Sequence, residues 1–257
     1  MGREGSTGVP RLAAVNAEPG GRTIRPLIRV LNAVLEPLSR RDWQDQERLP
    51  ATGGVIVVAN HISNADALGL GQFLAYSGRW PRFLAKSSLF RVPGLGGLLR
   101  RAGQIPVERG GSHAADALVA ASEALTAGRC IVLYPEGTIT YDPQLWPMRG
   151  RTGAARLALA TGCPVVPVGQ WGAQEYLYGR TVGLPRFWSR PTLRLRVGPP
   201  VPLDDLRGRP VDAALLAEAT ERIMTALTDL VARVRDETAP TVRLDPRAGG
   251  TPGGEVR

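Results

Sequence analysis

The chain has 257 residues, 43% of them hydrophobic, which suits one large domain with an ordinary core. Its formal charge of +9 favours anionic partners such as phosphorylated small molecules, nucleic acid or an acidic membrane surface. Three classes are excluded by inspection: no run approaches the ~18 apolar residues of a spanning helix, no apolar core follows Arg3 as a secretory signal requires, and Cys130 and Cys163 match no metal or redox spacing.

Residues 1–21 are rich in Gly, Pro and charge and are expected to form a disordered lead. Residues 22–41 follow a helical period in which Ile24, Leu27, Ile28, Leu31, Leu35 and Leu38 make an apolar stripe flanked by Arg22, Arg25, Arg29, Arg40 and Arg41. Such a helix fits a membrane interface, its stripe among acyl chains and its arginines near lipid phosphates, or packs on a sheet with solvated arginines. From residue 42 to 235, short apolar runs at 55–59, 82–85, 104–108, 131–134, 164–168 and 193–197 read as strands. Helical patterns at 114–127, 152–160 and 212–235 alternate with them; the last has Asp212 as its cap and Leu216, Ile223, Leu227, Leu230 and Val234 on one face. Segment 88–103 carries more Leu, Phe and Val than an ordinary loop and reads as a second interfacial element or as a core helix. This alternation predicts an α/β fold, a single domain with a largely parallel or mixed twisted sheet flanked by helices. Residues 236–257 resemble the lead and are expected to be a disordered tail.

Several familiar sites are absent. The glycine clusters at Gly69 and Gly94 lack the third glycine of a dinucleotide loop, no phosphate-cradling Gly-x4-Gly-Lys occurs, and two histidines cannot make a zinc protease motif. One constellation remains. "NHISNAD", residues 60–66, follows the strand at 55–59 and places His61 at a strand's carboxyl end with Asp66 five residues on. An imidazole can take a proton at neutral pH, and a neighbouring carboxylate can hold its tautomer. Asn60 and Ser63 suit side-chain hydrogen bonds that shape the turn. His113 has no assigned role.

Three further segments join it: "GQIPVERG" ending near Arg109, "LYPEGTIT" with the turn Glu136-Gly137-Thr138, and the proline-punctuated strand "CPVVPVGQWG". The four blocks, in this order and spacing over about residues 55 to 172, resemble those of the glycerolipid acyltransferase family, whose members include lysophosphatidate and glycerol-3-phosphate acyltransferases. The resemblance implies acyl transfer from an acyl-CoA or acyl carrier protein thioester to a hydroxyl of a phosphorylated glycerol, with His61 as general base, Asp66 as its orienting partner and no cofactor or metal. The leading expectation is the sn-2 hydroxyl of 1-acylglycerol-3-phosphate, giving phosphatidate, and the alternative is glycerol-3-phosphate, another lysophospholipid or a glycolipid. It implies that Arg109, Glu136, Gly137 and Thr138 hold the acceptor's phosphate and glycerol. Ile139 stands where the family commonly has arginine; Arg149 and Arg151, just before a helix, are candidates to replace that cation. The expected partners are therefore an acyl thioester, a lysophospholipid and an acidic membrane surface, at the cytoplasmic face of a bacterial membrane, with no nucleic acid.

Overall fold

In the computed structural model, which describes Leu12, Asn16, Glu18 and residues 21–108, 113–178 and 190–246, seven strands form one sheet. The elements are α1 (Gly21–Leu38), β1 (Arg40–Gln44), β2 (Val55–Ala59), α2 (Asp66–Tyr76), β3 (Pro81–Lys86), α3 (Leu95–Arg101), β4 (Ile105–Val107), α4 (His113–Thr126), β5 (Cys130–Leu133), α5 (Gly153–Thr161), β6 (Val165–Trp171), β7 (Thr192–Val197) and α6 (Ala213–Arg235). The strand order is β1-β7-β6-β2-β5-β3-β4. Only β6 and β7 pair antiparallel, so β1 and β7 run against the other five strands. The predicted mixed sheet is the one found.

Both faces of the sheet are covered, which is why β2 is apolar at every position. Ile56 and Val58 point towards the α4, α5 and α6 side, where they meet Ala121, Leu157 and Ile223. Val55, Val57 and Ala59 point the other way, onto Leu70, Phe73 and Leu74 of α2. The expected face of α6 is buried in full, and the Asp212 carboxylate caps the helix by accepting from the Leu215 amide at 2.8 Å.

The lead, the tail and the end of segment 22–41 depart from the sequence-based expectation, while the helix itself follows the packed alternative. In α1, Ile24, Ile28 and Leu35 are buried, with Ile24 and Ile28 packed among Leu12, Ala75 and Trp80. The apolar stripe therefore belongs largely to the protein core, and the outer face shows Arg29, Val30 and Val34 instead. Arg40 and Arg41 are not helical; they start β1, whose sequence RRDWQ has one apolar residue and gains its register from β7. Part of the lead is also fixed: Leu12 and Asn16 are buried, and Asn16 Nδ2 donates to the Ala75 carbonyl at 2.9 Å. In the tail, the Arg149 amide donates to the Leu244 carbonyl at 2.9 Å, and Arg243 pairs with Glu221. Local composition suggested disorder, but long-range partners hold Leu12, Asn16, Arg243 and Leu244.

Arg79, in the turn after α2, is fully buried. Its guanidinium donates to the carbonyls of Pro50, Gly53 and Gly128 at 2.5, 2.6 and 3.0 Å and lies 3.4 Å from the Glu18 carboxylate. Removing it would leave three carbonyls without this donor and take from the Glu18 carboxylate, which still accepts from the Trp80 amide at 2.6 Å, its buried counter-charge. Arg79→Ala is expected to lose about 3 to 5 kcal/mol of unfolding free energy in urea; a loss within about 0.5 kcal/mol, the range of ordinary surface substitutions, would contradict this account of the clamp.

Candidate active site

β2, β5 and β6 lie side by side and parallel at the sheet's centre, so their carboxyl ends open at one edge. His61 leaves β2 there, Tyr134 to Gly137 leave β5, and Gln170 lies near the end of β6. Asn60 locks two of these ends together. Its Nδ2 donates to the Gln170 carbonyl at 3.0 Å, its Oδ1 accepts from the Gln170 amide at 2.9 Å, and Gln170 Nε2 donates to the Asn60 carbonyl at 2.6 Å. Ser63 Oγ accepts from the Ala65 amide at 3.1 Å and donates to the Leu177 carbonyl at 2.6 Å, fixing the turn that leads into α2.

That turn brings His61 and Asp66 face to face. Asp66 is fully buried in the first turn of α2, where the helix dipole favours a carboxylate. One of its oxygens, Oδ2, lies 2.8 Å from His61 Nδ1 and accepts from the amides of Ile62 and Ser63 at 2.6 and 2.8 Å. An ionised carboxylate can only accept, so the imidazole proton sits on Nδ1 and the lone pair on Nε2. Burial pushes the Asp66 carboxyl above its ordinary range, while the His61 ring and the two amides pull it back. The imidazole stacks on Tyr134, centroids 4.0 Å apart and planes 12° from parallel, and keeps 15% of its side-chain surface exposed. It is accessible yet cannot swing. Burial, and then the Asp66 charge, raises the Tyr134 hydroxyl well above the usual tyrosine range, so it stays neutral.

Glu136 has a different place from the one expected. It is 2% exposed; Oε1 accepts from the His61 amide and Oε2 from the Met148 amide, each at 3.0 Å. Both oxygens face backbone, so this side chain ties the loop after β2 to the segment returning towards α5 instead of meeting an acceptor. Burial pushes its carboxyl up to about 8 against the pull of the two amides.

Gly137 turns the chain with φ of +74°, its amide donating to the Tyr134 carbonyl at 2.9 Å. A Cβ there would lie 2.6 Å from Arg151 Nε, so glycine is what lets the Arg151 side chain cross the turn. The Arg151 amide donates to the Pro135 carbonyl at 2.8 Å, which sets the start of α5 beside the same turn. Thr138 is half-buried on that turn, and Ile139 is buried. Arg149 is drawn off towards the tail, its Nη1 lying 2.7 Å from Asp245. Arg109 lies outside the described residues. The sequence reading gave no role to Lys86, the only lysine, which ends β3 beside β5 and is exposed at the same sheet edge. Its signal was available: a cation closing a strand of the same parallel set.

Two other features are set apart from this chemistry. The Cys130 thiol is buried at the opposite end of β5 and pushed up to about 12, so it offers no thiolate. A cavity of about 290 Å³ at the far sheet edge, lined by Asp42, Arg194, Arg196 and Arg233 among others, includes none of the residues around His61.

The family model described as Acyltransferase matches residues 40–171, just over half of the chain. The chain belongs to the acyltransferase family. Similar members include the chloroplastic 1-acyl-sn-glycerol-3-phosphate acyltransferase BAT2 of Brassica napus, 33% identical over 55% of this chain and 40% of that protein. The 1-acyl-sn-glycerol-3-phosphate acyltransferase alpha of Bos taurus is 28% identical over 72% of this chain and 61% of its own. The chain thus spans roughly half the length of these curated relatives. The crystal structure of the 1-acyl-sn-glycerophosphate acyltransferase PlsC from Thermotoga maritima shares the fold, with a TM-score of 0.59 and 23% identity over 82% of this chain and 80% of that one.

The raised Glu136 carboxyl has a consequence for stability. Its folded-state value lies above its unfolded one, so between about 4.5 and about 8 the native state binds more protons than the unfolded state. Stability from this group is therefore full at low pH and declines as pH rises through 8. Urea midpoints of the wild type should fall more steeply from pH 5 to pH 8 than those of Glu136→Gln; equal slopes would contradict the assignment.

Proposed function

We propose that the protein transfers a fatty acyl group from an acyl-CoA or acyl carrier protein thioester to the sn-2 hydroxyl of 1-acylglycerol-3-phosphate, giving phosphatidate. The observation that carries this reading is the Asp66–His61 pair, with its free Nε2 at the open edge of the sheet. The acceptor hydroxyl attacks the thioester carbonyl while His61 Nε2 takes its proton. The carbon–sulfur bond then breaks, and the proton passes to the departing thiolate, releasing a thiol. The alcohol is itself the nucleophile, so no acyl-enzyme is required. Asp66 stabilises the imidazolium that forms in between.

The acceptor's phosphate is assigned to Arg151 and the amides at the start of α5, with Gly137 and Thr138 along the glycerol and Arg109 as a further cation. Arg149 joins them only if Asp245 lets it go. A second reading, the same chemistry on glycerol-3-phosphate, another lysophospholipid or a glycolipid, is favoured by Ile139, a buried apolar side chain where the family pattern commonly has arginine. Work at the cytoplasmic face of a bacterial membrane fits the +9 charge and an amphiphilic acceptor; no described helix is long and apolar enough to cross a bilayer.

Thiol release from acyl-CoA with 1-acylglycerol-3-phosphate should fall ~10²- to 10⁴-fold in His61→Ala, with the unfolding midpoint unchanged. Retention of turnover would overturn the general-base role, and turnover with a different acceptor alone would select the second reading. Arg151→Ala should raise KM for the phosphorylated acceptor by roughly tenfold, in line with loss of one charge-assisted hydrogen bond, and leave the thioester's KM unchanged. An unaltered acceptor KM would remove Arg151 from the phosphate site.

A further inference from the structure

Residues 81–107 contain Arg82, Lys86, Arg91, Arg100 and Arg101 and not one carboxylate. Within this stretch the chain leaves β3 at the edge that holds His61, forms a 3-10 turn (Ser87–Arg91), bends at Gly94 with φ of +75°, and returns through α3. Phe90 and Gly96 face inwards: Phe90 is 8% exposed, and a Cβ on Gly96 would meet the Phe90 carbonyl oxygen at 2.0 Å. The Gly96 approach keeps the 3-10 turn and α3 folded closely on each other, and with Phe90 buried the other side of the element points outwards. Leu89, Val92, Leu95 and Leu98 are 41%, 45%, 38% and 37% exposed. Leu95 and Leu98, three apart, share one face of α3. Lys86, Arg91, Arg100 and Arg101 are exposed beside them. Arg91 reaches only the exposed Glu108, at 3.3 Å, and Arg100 donates to the Phe90 carbonyl at 3.0 Å.

Four apolar side chains in water, flanked by cations of which Arg91 pairs with Glu108 just beyond the stretch, match the two layers of an anionic bilayer surface. The leucines and valine would enter the acyl boundary while the cations meet lipid phosphates. The outer face of α1 is the competing surface. It also exposes Val30 and Val34, but Glu36 stands among them and its main stripe is already buried.

We infer that the segment from Lys86 to Arg101 is a membrane-docking surface, which seats the edge of the sheet bearing His61 on an anionic lipid bilayer. This inference rests on surface chemistry and stands whether or not the acyl-transfer reading does, because vesicle binding is measured without turnover. Docking at this edge would let an amphiphilic acceptor reach the imidazole without leaving the lipid phase.

The test is flotation of the full chain with vesicles of phosphatidylcholine alone or with added phosphatidylglycerol. The wild type should float with the anionic vesicles. Leu95→Glu/Leu98→Glu should reduce the bound fraction roughly tenfold or more, since two side chains lose apolar burial and gain a repelled charge. Arg91→Gln/Arg101→Gln should weaken binding to the anionic vesicles and leave the neutral ones unaffected. Val30→Glu/Val34→Glu should bind like the wild type. These positions are exposed, so unfolding midpoints should agree across the set. Equal flotation of the leucine variant and the wild type, no flotation of the wild type, or loss confined to the α1 variant would each overturn the inference. So would a lipid-free wild-type dimer that the leucine variant converts to monomer, since the face would then be a contact between copies.

Discussion

A single carboxylate oxygen, Asp66 Oδ2, organises the functional end of this molecule. It holds the imidazole of His61 at 2.8 Å and two backbone amides at 2.6 and 2.8 Å. The amides fix where the oxygen is, and the oxygen fixes which nitrogen of the ring carries the proton. Without the amides, Asp66 could rotate; without Asp66, His61 could turn or change tautomer. The helix that begins at Asp66 supplies a favourable dipole and, through Leu70, Phe73 and Leu74, anchors the turn to the core. The geometry of the His61–Asp66 pair and the packing of the core therefore share one short helix.

Around that contact, polar groups join loops that the sheet brings to one edge. Asn60 and Gln170 bind the ends of β2 and β6 in three hydrogen bonds, and Glu136 binds the loops after β2 and β5. Tyr134 closes one side of the imidazole. Such networks are costly when incomplete and rigid when complete. Their position explains why the imidazole can be held rigidly on one side and still keep part of its surface exposed on the other. The arginine across Gly137, the helix start beside it and Lys86 at the end of β3 add positive charge at this edge.

Much of this was legible in the sequence because it is local. Strands buried on both faces read as continuous apolar runs, α6 shows its period and its cap, and His61 and Asp66 lie within one turn. What was not legible depends on distant partners. RRDWQ becomes a strand because β7 offers it a ladder, and which of its two partners the stripe of α1 takes is decided by α2 and Trp80. Arg149 looked like a free cation until Asp245, 96 residues on, came to rest against it. Glu136 was assigned to the acceptor because its block resembles a binding motif, yet the chain at Met148 folds over it and uses both its oxygens. Arg79 gave no warning at all, as an isolated arginine in a turn reads like any surface cation.

The account stands or falls on where the imidazole proton of His61 resides, and nitrogen NMR of the ring observes this directly. The chain has only two histidines, so His113→Gln assigns the signals without ambiguity. At a pH where the ring is neutral, the account predicts a protonated Nδ1 and a bare Nε2 for His61, with that preference lost in Asp66→Asn. A wild-type ring protonated on Nε2, or one exchanging freely between the two tautomers, would contradict it.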